Sequence, residues 1–190
     1  MVLATVACMS RRAIVAATVL MLAVLAGCAA QPAPNPNPTP TPTPTPGFTS
    51  EADAYRAAED TYRAYVDAAN AADTRDPATF EDVYKWATGD ALAADKKTFP
   101  ELYSKHAVKT GDAVIMTVES READERLSKL AIDVCQDVSH VDVRNEAGDS
   151  LVDPSRPDVQ MLLVRLVSSD QSPTGLLVSG IWSRSDGVTC

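Results

Sequence analysis

From Pro32 to Pro46 every second residue is proline, in the run PAPNPNPTPTPTPTP, and no other feature limits the fold as firmly. Proline lacks a backbone N–H and fixes φ, so the run supports neither a helix nor a sheet ladder and buries no core. It divides the 190-residue chain into a leader before it and, from Gly47 to Cys190, 144 residues after it, the size of one ordinary domain. As polyproline II, at about 3.1 Å per residue, it spans roughly 45 Å. Thr39, Thr41, Thr43 and Thr45 punctuate it. The reading is an unmodified stalk, with O-linked sugars on these threonines as the alternative.

In the leader, Arg11 and Arg12 precede AIVAATVLMLAVLAG, an apolar run of 15 residues that stops at Cys28. A membrane span needs about 20 apolar residues, whereas a secretory signal has a basic start, a shorter apolar middle and a small-residue end. Leu25, Ala26, Gly27 and Cys28 match the lipobox of bacterial lipoproteins. That resemblance implies diacylglycerol on the Cys28 thiol, cleavage ahead of that residue, a palmitate-bearing lipid anchor there, and residence on the outer face of the cytoplasmic membrane. The alternative is an ordinary cleaved signal with an incidental cysteine. The expected organisation is a signal peptide over 1–27, a lipidated Pro/Thr-rich linker over 28–47 and a folded domain over 48–190. Residues 1–8, MVLATVAC, stand ahead of the charged start and point to Met9 as the beginning of translation. Ser10, Arg11 and Arg12 resemble a twin-arginine motif faintly, but the aromatic and lysine that should follow are missing, so Sec export is expected.

Once Arg11 and Arg12 leave with the leader, the 17 basic residues fall to 15 against 26 acidic ones, a formal charge of −11. Such a surface repels nucleic acid and anionic head groups. Of the four cysteines, Cys8 belongs to the leader and Cys28 to the anchor. Cys135 and Cys190 remain, and in an oxidising compartment they are expected to pair. The loop from 135 to 190 holds 56 residues; closing one of that length contributes roughly 4 kcal/mol in the chain-entropy model. A reactive free thiol is the weaker reading, since no histidine or basic cluster lies close to either cysteine in sequence.

Ser50 and Asp53 form a capping box, and Tyr55, Ala58, Tyr62, Tyr65, Val66 and Ala69 recur at helical spacing, which predicts a helix ending near Asp73. Asp76 and Pro77 start a short second helix that turns Phe80, Val83, Tyr84 and Ala87 inward before Gly89. A third segment, from Asp90 to about His106, carries Leu92, Phe99, Leu102 and Tyr103, with Pro100 predicting a kink or a fresh start. After Gly111 the period changes to two: Val114, Met116 and Val118, then Leu130, Ile132 and Val134, then Val141 and Val143. Glu122 to Glu125 read as a charged turn and Asn145 to Pro157 as a polar loop, with further strands over Val159–Val167 and Gly175–Trp182. Helices first and a meander afterwards indicate an α+β domain, its helices packed on one face of a curved antiparallel sheet of about five strands.

Several segments resemble the exported actinobacterial lipoproteins whose domain belongs to the nuclear transport factor 2-like (SnoaL-like, cone-shaped) superfamily. They are AYRAAEDTYRAYVDA, FEDVYKWATGDAL with Trp86 and Gly89, KTGDAVIMTVES, CQDVS with Cys135, Asp137 and Ser139, and the late strand before Cys190. The resemblance implies a sheet wrapped around the helices with a conical pocket at one end, and frequent dimerisation through the sheet face. One departure is visible: Gly175, Leu176 and Leu177 stand where an aromatic would begin the last strand, and Trp182 arrives later.

Catalytic chemistry has little to work with. His106 and His140 stand far apart, no metal-ligand spacing occurs, and neither a G-x-S-x-G elbow nor a glycine-rich phosphate loop is present. No metal or cofactor is expected. The pocket-bearing members of the superfamily imply acid–base chemistry on a hydrophobic small molecule, for which Asp137 and His140 are the weak candidates. Strand alternation, however, puts Asp133, Cys135 and Asp137 on the face opposite Ile132 and Val134, so Asp137 is expected to support the turn before Ser139. His106 falls near a helix C-terminus, where histidines cap carbonyls. Tyr55, Tyr62, Tyr65, Tyr84 and Trp86 line either a pocket or the core, and the helical stripe favours core. The expected function is a non-catalytic binding or accessory module at the cell envelope, with an envelope protein, a second copy or a small hydrophobic ligand as partner besides the membrane. A small pocket enzyme and a passive structural protein are the alternatives. An open cavity holding a perturbed acid would favour the enzyme; a filled cone with an exposed apolar patch would favour a protein partner.

Overall fold

The computed structural model describes residues 47–184, 186 and 190. The leader, the lipobox and the proline-rich linker lie outside the described residues.

Helix α1 (Glu51–Ala71) starts where its cap dictates: Asp53 N–H donates to Ser50 Oγ at 3.1 Å, and the Ser50 hydroxyl donates back to Asp53 Oδ2 at 2.8 Å. Its buried residues, Ala54, Ala58, Thr61, Tyr62 and Val66, form one stripe at helical spacing. Asp76 caps the next turn through Ala78 N–H at 3.0 Å, and a 3-10 turn (Pro77–Thr79) leads into α2 (Phe80–Tyr84). The third helix, α3 (Gly89–Ser104), runs through Pro100, where a fresh start or kink was expected. The proline ring lies on the exposed side, while Phe99, one residue earlier, is buried between Phe80 and Tyr84 with ring centroids 5.1 and 6.3 Å away. Packing of that anchor outweighs the one backbone hydrogen bond the proline removes.

Six strands follow. β1 (Val108–Thr110) pairs with β4 (Asp142–Arg144) in a two-stranded ribbon, and β2 (Val114–Ala123), β3 (Lys129–Asp137), β5 (Val159–Ser168) and β6 (Leu176–Ser183) form an antiparallel sheet in the order β2-β3-β5-β6. The helices cover one face. There Leu130, Ile132 and Val134 of β3, Leu162, Val164 and Leu166 of β5 and Leu176 and Val178 of β6 join the α1 stripe in one core. A second cluster, Ala72, Phe80, Val83 and Phe99, closes the gap between α1, α2 and α3. Backbone bonds from Val178 N–H to the Trp86 carbonyl (2.9 Å) and from Thr88 N–H to the Val178 carbonyl (2.8 Å) shield the β6 edge.

Two strand readings need correction. Val114, Met116 and Val118 do not share a core face: β2 bulges between Ile115 and Thr117 and again between Ser120 and Glu122, so Ile115 and Val118 reach the core while Val114 and Met116 are left outside. The charged turn lies later than Glu122–Glu125, because Asp124 accepts from Ser128 N–H, Ser128 Oγ and Lys129 N–H and so closes a loop with Leu127 at φ +52°. Gly111, at φ +72°, presses against the His140 carbonyl so closely that a Cβ there would lie 1.8 Å from the oxygen. Only glycine fits that crossing between β1 and the turn before β4.

Candidate functional site

The space between α1 and the sheet, where a cone-shaped domain would hold a ligand, is filled. Tyr62, 1% exposed, occupies its middle and donates its hydroxyl to Gln136 Oε1 of β3 at 2.8 Å. Burial pushes its phenol well above the ordinary range. Concavities of about 320 to about 650 Å³ open at the periphery of the described residues, and none of these five has Tyr62, Ile132, Val134, Val164 or Val178 in its lining. The aromatic stripe therefore divides: Tyr62 is core, Tyr65 stacks beside it with centroids 6.1 Å apart, and Tyr55 packs at the edge of the core.

One acid does enter the helix layer. Asp95 of α3 is half-buried and accepts the Tyr65 hydroxyl on both oxygens, at 3.0 and 3.1 Å. Burial raises its carboxyl above the usual range, and the Tyr65 hydrogen bond offsets part of that rise. Sequence reasoning missed this pair. Its signal was present, since Asp95 falls three residues after Leu92 and four before Phe99, on the apolar stripe of α3. The pair ties α3 to α1, and Asp95 lines none of the five concavities above.

Asp137 and His140 sit on the turn that follows β3. Asp137 Oδ1 accepts the Ser139 N–H at 2.8 Å; that bond and the Ser139 hydroxyl hold the carboxyl below its usual range, with His140 adding a smaller contribution. The Asp137 oxygen is committed to the turn, and His140 is exposed, an arrangement that orders a loop and offers no sheltered base. His106 adopts φ +50° immediately after α3. Its N–H donates to the Tyr103 carbonyl at 3.0 Å and the Ala107 N–H to the Leu102 carbonyl at 2.9 Å, so the cap is made by main chain in a Schellman motif and the imidazole is left exposed. Among the described residues no three His, Cys, Asp or Glu side chains are grouped to hold a metal ion.

The sheet face turned away from the helices is the more distinctive surface. β5 reads VQMLLVRLV, apolar at both alternating sets, a pattern that belongs to strands covered on both sides. Its inward set enters the core; Val159, Met161, Leu163 and Val167 face outward beside Cys135, Asp133 and Ala131 of β3. Trp182 of β6 pairs with Leu163 and lies over Gly180, with the Arg165 guanidinium 5.3 Å from its ring centroid. Met116 is 54%, Trp182 40% and Val159 37% exposed. Through this patch runs a charge chain. Asp133 Oδ2 accepts from Arg184 at 2.6 Å and Arg121 at 3.0 Å, Arg184 also pairs with Asp186, and Asp133 Oδ1 is buried without a partner among the described residues. Cys135 and Cys190 meet on the same face at disulfide distance, their Cα atoms 5.7 Å apart.

No family model matches the chain, and no curated protein matches it. Solved structures do resemble its fold. The intermembrane-space region of the chloroplast protein ARC6 superimposes with a TM-score of 0.50 at 10% identity, over 67% of this chain and 94% of that one. A periplasmic fragment of TraM gives 0.40 at 13% identity, over 72% and 98%. The VirB8 protein of Agrobacterium tumefaciens gives 0.40 at 10% identity, over 75% and 100%. The architecture is the α+β fold expected from the sequence, with helices packed on one face of an antiparallel sheet.

Proposed function

We propose that the chain is a membrane-anchored extracytoplasmic lipoprotein whose domain is a non-catalytic binding module, and that it docks a protein partner on the outer face of its sheet. The observation that carries this reading is the contrast between the two faces. The inner face is packed around Tyr62 with no cavity among those described, while the outer face leaves Met116 and Val159 uncovered along the groove that holds Arg184, and Trp182 uncovered beside Arg165. Trp, Met and Arg are the residue types that interfaces concentrate. Anchoring rests on the lipobox Leu25, Ala26, Gly27 and Cys28, export by Sec on the leader, and the oxidised compartment on the Cys135–Cys190 proximity. The linker carries the module away from the membrane, so that the outer face is free to meet an envelope protein or a second copy of the chain.

Site-specific photocrosslinking in living cells tests the docking surface. A photoreactive residue at Met116 or Leu163 should give a discrete adduct, and one at the exposed Lys97 of α3 should not. An adduct of twice the protomer mass identifies a second copy. Adducts from Lys97 with none from the outer face would overturn the reading.

A further inference from the structure

The Cys135–Cys190 pair does not staple the core. Cys135 belongs to the outward set of β3, between Thr117 and Met161, whereas the core cluster lies on the opposite face of the sheet. The two residues also differ in exposure. Cys135 is 7% exposed, while Cys190 is exposed and lines an open groove of about 490 Å³ with Met116, Pro157 and Met161. Among the described residues of that groove the one charged side chain is Arg184, which is held by Asp133 and Asp186.

We infer that the pair is an exchange-competent clasp on the docking face, opened by a thiolate that attacks Cys190. The inference deepens the extracytoplasmic reading above and rests on it for the oxidised state. The reductant is an envelope dithiol. Its first thiolate bonds to Cys190 Sγ, the Cys135–Cys190 bond breaks, and the electron pair leaves on Cys135 Sγ, which takes a proton from solvent. Its second thiol, as thiolate, then attacks the dithiol sulfur of the mixed disulfide, and the electron pair leaves on Cys190 Sγ, which is protonated in turn. Two electrons pass from the dithiol, now a disulfide, to the pair, now two thiols. Opening frees residue 190 from β3 and uncovers Cys135 and its neighbours while the core on the other face stays packed. Redox state and access to the docking surface are thereby coupled.

The test uses the full-length protein, purified from membranes in detergent under non-reducing conditions, with its two free-thiol positions first counted by maleimide labelling. Reduced glutathione, and dithiothreitol in parallel, are added without denaturant, the reaction is quenched with maleimide, and peptides are weighed. Glutathione should be found on Cys190 at least about tenfold more often than on Cys135, dithiothreitol should open the pair with the far-UV circular dichroism unchanged, and the Cys190→Ser variant should keep the same spectrum. Glutathione on Cys135 instead, opening only at urea concentrations that unfold the domain, or an unfolded Cys190→Ser variant would overturn the clasp. Both cysteines already free as isolated would instead overturn the oxidised setting, and the clasp with it.

Discussion

Replacing Tyr62 by phenylalanine separates a packed interior from a hydrated one. The Tyr62 hydroxyl is fully buried and its one recorded partner is Gln136 Oε1, at 2.8 Å. Removing it leaves the carbonyl oxygen of the partly buried Gln136 without that donor, which costs about 1–2 kcal/mol. For a domain of this size that corresponds to a fall in Tm of roughly 3–7 °C. Converting Gln136 to leucine as well removes the orphaned acceptor, so the Tyr62→Phe, Gln136→Leu double variant should recover about 1 kcal/mol relative to the sum of the single changes. Urea unfolding followed by circular dichroism, with all four proteins compared at one m-value, reads the cycle. In an open cone, water would replace the lost donor. A Tyr62→Phe protein as stable as the parent, or a cycle with no coupling, would therefore refute the filled interior.

Three further outcomes follow from the same geometry. Asp95 has its carboxyl raised by burial, so its contribution is fully present below the unfolded-state carboxylate range and is lost as pH rises through the raised value; Asp95→Asn, which still accepts from Tyr65, should gain stability over the parent as pH climbs from 4 to 7 in parallel melts. Gly111→Ala combines a left-handed φ with a Cβ 1.8 Å from the His140 carbonyl, and should cost more than about 2 kcal/mol in urea unfolding or fail to fold. Asp137→Ala removes the acceptor for Ser139 N–H and should cost about 1 kcal/mol, whereas His140→Ala on the exposed turn should fall within about 0.5 kcal/mol of the parent.

What could be read from the sequence was whatever is settled within a few residues. The Ser50–Asp53 box, the Asp76–Pro77 start and the role of Asp137 each join residues two to three apart, and each stands where the pattern put it. The inward alternation of β3 survived for a similar reason, since its hydrophobic set alone decides which face meets the helices. β2 was misread because two bulges shift the alternation, and a bulge leaves no mark on composition. β1 went unseen: three residues become a strand only because Asp142–Arg144 lies beside them. The partners of two acids were not legible, although the apolar stripe of α3 did place Asp95 on its inward side. Tyr65 reaches Asp95 across 30 residues and Arg184 reaches Asp133 across 51, and no local spacing encodes such meetings. The apolar outward set of β5 was on the page as VQMLLVRLV, but it acquires meaning only once the helices are known to cover one face alone.

The proposed module depends on a lipid at Cys28, and metabolic labelling with an alkyne-bearing fatty acid measures that lipid directly. The parent chain expressed in a bacterial host should carry the label in its membrane fraction, and Cys28→Ala should carry none. A parent chain that keeps residue 28 and shows no label would contradict the anchored module proposed for this protein.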